Sequence, residues 1–238
     1  MGVSTADPAL PAAVLWDMDG TLVDTEPYWM TAEHELVESF GGTWSHELAV
    51  QLVGNPLRVS ARFIIDNSPV DLGVDEVVHR LQSRVVEQIG EGVPWRPGAR
   101  ELLSACREAG VRCALVTMSW TDLASAVVEA TDPGAFEVVI TGDRVEHGKP
   151  HPEPYETALR DLGVSAGECV ALEDSPTGVR SAVAAGVPTL AVPHVVPVPA
   201  IAGAVPTETL VGVTPFDLRR LADPASTTTS PSGRVHRS

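Results

Sequence analysis

The run Val14-Leu15-Trp16-Asp17-Met18-Asp19-Gly20-Thr21-Leu22-Val23-Asp24-Thr25 decides the fold. Ala12 to Trp16 is apolar without a break, the pattern of a short strand buried on both faces. It stops at two carboxylates spaced i, i+2, followed by Gly20-Thr21. Strand side chains repeat every second residue, so Asp17 and Asp19 at the carboxyl end look into one crevice. Two acids held that close repel each other. They remain ionised together when a cation lies beside them, and Mg²⁺ with oxygen ligands suits the donors. Gly20 frees the backbone to turn sharply beneath them. A solvated Asp/Gly turn and a calcium loop share this short pattern, so the rest of the chain has to supply the partners.

The chain has 238 residues, enough for one domain of about 150–200 residues and an insertion. Its 32 acidic residues against 16 basic ones give a net charge of −16, which argues against a nucleic-acid partner or an anionic membrane surface. A phosphorylated substrate stays compatible, because a bound Mg²⁺ reverses the local sign. No apolar run approaches the roughly 18–20 residues that span a bilayer. No basic and apolar leader opens the sequence either, so a cytoplasmic protein is expected. Cys106, Cys113 and Cys169 lie in apolar contexts and are expected as buried, reduced thiols.

Residues 1–11 read as a loose lead-in. After the first strand come four helical patterns, at 27–40, about 46–53, 57–66 and 74–90, with no strand-like alternation between 25 and 92. Thr25 or Glu26 is placed to cap the first of them, with Pro27 in its opening turn. From Gly92 onward, short apolar strands alternate with helices: helix 98–109, strand 111–116, helix 121–130, strand 137–140, helix 152–162, strand 168–172, helix 176–185, strand 188–192. That alternation predicts an α/β, doubly wound, Rossmann-like parallel sheet. The expected division is a core of residues 12–24 and 93–222, an α-helical cap of residues 25–92, and a disordered tail over 223–238.

Ligands of such sheets sit beyond the carboxyl ends of the strands. One predicted end carries Thr117-Met118-Ser119 and is followed by Thr121, expected to cap the next helix; hydroxyls and free backbone N–H groups there suit an anion. A second carries Glu173-Asp174-Ser175-Pro176-Thr177-Gly178, where two more acids supply the missing half of an oxygen-rich Mg²⁺ site. Between them lies Gly148-Lys149-Pro150-His151-Pro152-Glu153-Pro154-Tyr155. A lysine held between Gly and Pro just before a helix is poorly explained as a solvated charge.

In this order the four stretches resemble motifs I to IV of the haloacid dehalogenase superfamily, over roughly residues 12–192. The subfamily with a helical cap between motifs I and II, which includes the β-phosphoglucomutase-like enzymes, fits best. The resemblance implies a Mg²⁺-dependent phosphatase acting on a small phosphorylated metabolite, a sugar or polyol phosphate, as a monomer. It implies Asp17 as nucleophile and Asp19 as general acid and base. Thr117 and Lys149 are expected on the phosphoryl oxygens, and Asp17, Asp19, Asp174 and Glu173 around the metal. Thr25, Met118, Ser119 and the cap residues Asn55 and Arg58 are expected to contact substrate. Trp29 and Arg62 stand as further cap candidates. β-Phosphoglucomutases carry a histidine where this chain has Trp29, and an arginine nearer to Leu57 than to Arg58, which favours hydrolysis over mutation. A receiver-type signalling domain also combines Asp, Thr and Lys-Pro, but the helical insertion and the Asp-x-Asp spacing speak against it.

Overall fold

The computed structural model describes residues 10–53 and 55–223. The expected lead-in before residue 10 and the expected tail beyond residue 223 lie outside the described residues. The first strand, β1, is Ala13–Trp16, with every residue fully buried. Its side chains divide between two apolar clusters: Val14 and Trp16 face one, Ala13 and Leu15 the other. Two-sided burial is why the run is apolar rather than alternating. Each large side chain so buried contributes about 1.5–3 kcal/mol relative to exposure, and this anchors the two carboxylates that follow.

Four helices come next: α1 (Glu26–Ser39), α2 (His46–Val50), α3 (Leu57–Asn67) and α4 (Val74–Glu91). Both α1 and α3 pack on α4. Ser45 caps α2 by accepting the Leu48 N–H. The insertion leaves and rejoins the core at one seam. There the Asp24 N–H donates to the Pro94 carbonyl at 2.7 Å, the Arg96 N–H donates to the Leu22 carbonyl at 2.9 Å, and Val23 and Trp95 form an antiparallel bridge.

The remaining α-helices and strands are α5 (Ala99–Glu108), β2 (Arg112–Val116), α6 (Thr121–Glu129), β3 (Val138–Ile140), α7 (Glu153–Leu162), β4 (Val170–Glu173), α8 (Pro176–Ala184), β5 (Thr189–Ala191), β6 (Ala204–Pro206) and α9 (Pro215–Leu221). The six strands pair in parallel in the order β3-β2-β1-β4-β5-β6. The chain winds outward from β1 to β3, then crosses back to β4 and winds the other way. β1 is therefore flanked by β2 and β4 at the switch point, where the carboxyl ends open a crevice. Apolar residues of α5, α6 and α9 cover one face, and those of α7 and α8 the other.

The sequence reading ends its alternation at residue 192, and β6 and α9 extend it. β6 is only three residues long and ends in Pro206 at the sheet edge, too short for a periodic pattern. α9 is seven residues, started by a capping box between Thr214 and Asp217. Two expected caps are corrected. Thr25 occupies the N-cap position of α1, but its hydroxyl does not cap the helix. Trp120, not Thr121, is the N-cap of α6, and the Thr121 hydroxyl binds Asp143 instead. All three cysteines are buried and unpaired by disulfides. Among the described residues, no helix is long and apolar enough to cross a membrane.

Candidate active site

Beyond β1 the chain curls into one tight turn, the Met18 carbonyl accepting from the N–H groups of Leu22 (2.9 Å) and Val23 (3.0 Å). Gly20 makes the turn possible with φ +88°, a conformation that side chains disfavour. Space demands glycine as well: a Cβ at residue 20 would lie 2.1 Å from Asp174 Oδ2. The turn after β1 thus fits directly against the acids after β4.

Lys149 reaches the crevice from the turn before α7. Its backbone N–H meets Met118 Sδ at 3.2 Å. Its Nζ lies 2.6 Å from Asp17 Oδ1, 2.6 Å from Glu173 Oε1 and 2.8 Å from the Val116 carbonyl. Three acceptors satisfy the three donors of an ammonium. Burial opposes the charge, but the Asp17 and Glu173 carboxylates outweigh it and hold the lysine above its ordinary pKa. The acids beside it move the same way. Burial, followed by the charge of Asp17, pushes Glu173 up to about 7. Burial, then Asp17 and Glu173, pushes Asp174 up to about 9.

Asp19 occupies a different environment. Thr25 donates to its Oδ1 at 2.6 Å, while Ser119 (2.7 Å) and Thr117 (3.2 Å) donate to Oδ2. Burial is the largest influence on this carboxyl, with Asp17 adding to it; together they outweigh the hydroxyls and raise its pKa. Thr25 leaves its helix uncapped because its hydroxyl is spent here. Thr117 also accepts the Ser119 N–H at 3.0 Å, which orients both hydroxyls toward Asp19.

Asp17 Oδ2 is buried and has no partner. Asp17, Glu173 and Asp174 each bring a carboxylate oxygen within 4.8 Å of the others. An all-oxygen donor set around an unpartnered buried oxygen fits a hard divalent cation of the Mg²⁺ class. The Asp19 carboxylate stands outside this trio, occupied by its hydroxyls.

The crevice therefore joins Asp17, Asp19, Thr25, Thr117, Ser119, Lys149, Glu173 and Asp174, with the Met118 sulfur bracing the lysine turn. The cap candidates are placed elsewhere. Arg58 pairs with Asp75 on the exposed surface, and the exposed Asn55 donates to the Gln51 carbonyl at 2.9 Å. Trp29 is half-buried and Arg62 exposed.

Three residues beside the crevice were given no place in it by the sequence reading. Tyr155, fully buried, donates to Glu173 Oε1 at 2.6 Å; it ends the Gly148–Tyr155 stretch, so its spacing from Lys149 was the available clue. Glu26 opens α1 and is pushed up to about 7 by burial, then by Asp19 and Asp24. His194 lies beyond β5 with Nε2 2.9 Å from Asp24 Oδ1, a contact no local pattern announces.

Residues 14–192 match the model of the haloacid dehalogenase-like hydrolases, an interval that begins in β1 and takes in all four clustered stretches. The chain belongs to that family. Within it, this haloacid dehalogenase-like hydrolase is 31% identical to a phosphorylated carbohydrates phosphatase of Thermotoga maritima, over 74% of this chain and 82% of the relative. It is 36% identical to hexitol phosphatase A of Escherichia coli K12, over 75% and 81% of the two chains. Among solved structures, a mutant of CbbY from Rhodobacter sphaeroides in complex with xylulose-(1,5)bisphosphate superposes with a TM-score of 0.78. The identity there is 29%, over 88% of this chain and 99% of that one.

Proposed function

We propose that the protein is a Mg²⁺-dependent phosphatase that hydrolyses a small phosphorylated sugar or polyol through an aspartyl-phosphate at Asp17. The observation that carries this reading is the contrast between two carboxyls two residues apart. Asp17 is held by the Lys149 ammonium with its second oxygen unpartnered, while Asp19 has a raised pKa and is held by hydroxyls. One carboxyl is suited to attack and the other to carry a proton. Asp17 adds to phosphorus as the bond to the leaving oxygen breaks, and Asp19 gives that oxygen its proton. A water molecule then attacks the aspartyl-phosphate, Asp19 takes its proton, and phosphate leaves with the Asp17 carboxylate restored. Lys149 and Thr117 neutralise and orient phosphoryl oxygens.

Mg²⁺ held by the Asp17, Asp174 and Glu173 carboxylates, and by the Asp19 backbone carbonyl, would supply positive charge to the phosphoryl group. The names of the relatives support the substrate class: carbohydrate phosphates, hexitol phosphates and a ketose bisphosphate. The helices of residues 25–92 act in this reading as a cap over the leaving group, turning at the seam of Leu22–Asp24 and Pro94–Arg96.

The test is phosphate release from a panel of sugar and polyol phosphomonoesters and sugar bisphosphates, with Mg²⁺ or with chelator, for wild type and Asp17→Asn. Release that needs Mg²⁺ and disappears in a folded Asp17→Asn protein is expected. Appreciable release by that variant overturns the nucleophile. Isomerisation of a hexose 1-phosphate in the presence of a bisphosphate primer, in place of release, would replace hydrolysis by mutase chemistry.

A further inference from the structure

A second group of metal-ligating side chains sits on the turn that carries Lys149, outside the crevice. His147, His151 and Glu153 bring one ligand atom each within 4.8 Å of one another. His147 Nδ1 lies 3.0 Å from Glu153 Oε2, and the two imidazoles lie 4.7 Å apart between centroids with a 31° tilt. We propose that these three residues bind a transition cation of the Zn²⁺ class, which clips together the two sides of the Lys149 turn.

The donor set is the first argument. Two imidazole nitrogens and one carboxylate oxygen suit Zn²⁺ and its neighbours, whereas Mg²⁺ prefers the all-oxygen trio in the crevice. The geometry is the second. Ligand atoms at ordinary Zn–N and Zn–O distances stand about 3.3 Å apart around a tetrahedral ion, close to the present His147–Glu153 separation. A cation there takes the place of the proton between the two groups. The side chains have room to close the rest of the way, since that of His147 is 57% exposed.

The fold already holds the residues together. His151 Nδ1 accepts the Glu153 N–H at 3.2 Å, which keeps the imidazole against the turn; a bound cation takes over the lone pair that this long bond uses. Glu153 accepts the N–H groups of Glu146 (2.8 Å) and His147 (2.9 Å). Glu153 is thus already the tie across the turn. The His151 carbonyl is fixed by the Ser181 hydroxyl at 2.6 Å, which keeps this side of the turn on α8. A metal joining His147 and His151 bridges the residues on either side of Lys149-Pro150. Its fourth position is left to water.

The experiment counts bound Zn²⁺, or Co²⁺ as its spectroscopic stand-in, in excess Mg²⁺, for wild type and for the double variant His147→Ala/His151→Ala. Any ion in the Asp17 cluster is common to both proteins and cancels. Wild type is expected to bind one more equivalent than the double variant, with a Co²⁺ visible spectrum of a four-coordinate nitrogen/oxygen site and a melting midpoint that rises with Zn²⁺ only in wild type. Equal stoichiometry in the two proteins overturns the site. An extra equivalent without a rise in midpoint overturns the clip. Neither readout depends on phosphatase activity, so failure here is distinct from failure of the proposed reaction.

Discussion

The Tyr155 hydroxyl and the Lys149 ammonium meet on a single oxygen, Glu173 Oε1, each at 2.6 Å. Burial, with the charge of Glu173 next, keeps the phenol's pKa well above its ordinary value, so the tyrosine remains a donor. Tyr155→Phe removes one of three hydrogen bonds from a fully buried carboxylate, the third coming from the Ser175 hydroxyl at 3.3 Å. The expected cost is about 1.5–3 kcal/mol by urea unfolding, with slower turnover as the lysine loses its fixed anchor. A variant as stable and as active as wild type would show that Lys149 and Ser175 position the acid without the phenol.

Gly178 stands behind the same acid. In an ordinary helix interior Gly→Ala stabilises by about 1 kcal/mol. Here the added methyl would lie 1.9 Å from Glu173 Oε2, and Lys149 and Tyr155 keep that side chain from moving aside. Gly178→Ala is therefore expected to lower both stability and turnover. Stabilisation in a denaturant titration would mean that Glu173 is free to move.

Replacing Lys149 with Met leaves Asp17, Glu173 and Asp174 without their ammonium. Loss of one preorganised cationic donor is expected to slow phosphate release by about 10²-fold or more. The same acids should then lean harder on added cation, so Mg²⁺ should raise the melting midpoint more in the variant than in wild type. A smaller Mg²⁺ effect in the variant contradicts a shared carboxylate site.

Glu33 offers a test of burial without catalysis. It is buried in α1 and accepts the Trp44 indole N–H at 3.1 Å, yet burial pushes its carboxyl from 4.5 up to about 7. An acid with a raised folded pKa binds its proton more tightly when folded. Its contribution therefore turns unfavourable as pH rises past the unfolded value and levels off above the folded one. Glu33→Gln keeps an acceptor for Trp44. The variant should match wild type at about pH 4 and exceed its stability by about 3 kcal/mol at about pH 8. Parallel stability curves across that range would refute the shift.

The sheet and its helices were legible in the sequence because burial on both faces leaves unbroken apolar runs, as in Ala12 to Trp16, and each run stops where polar chemistry begins. Asp17, Asp19, Lys149, Glu173 and Asp174 were found because each lies at a strand end or in a turn with an unusual neighbour. Tyr155 stayed hidden: on a helix an aromatic reads as core, and nothing local says that its hydroxyl faces a carboxylate. The hydroxyls were seen but assigned differently. Thr25 and Thr121 look like helix caps by position, and only contacts across 6 and 20 or more residues, to Asp19, Thr141 and Asp143, divert them. Asn55 and Arg58 are put forward by the likeness of their cap loop to the family's, and the fold pairs the arginine with Asp75, which is 17 residues away.

The seam at which Asp24 meets Pro94 and Arg96 meets Leu22 brings the entry and exit of the intervening helices together, but it is not their sole tie to the sheet. α4 also packs on α6, and Thr25 at the head of α1 donates to Asp19 Oδ1. A graft of foreign helices at this seam would therefore have to keep Thr25 and a face for α6 if Asp19 is to hold its present hydrogen bonds.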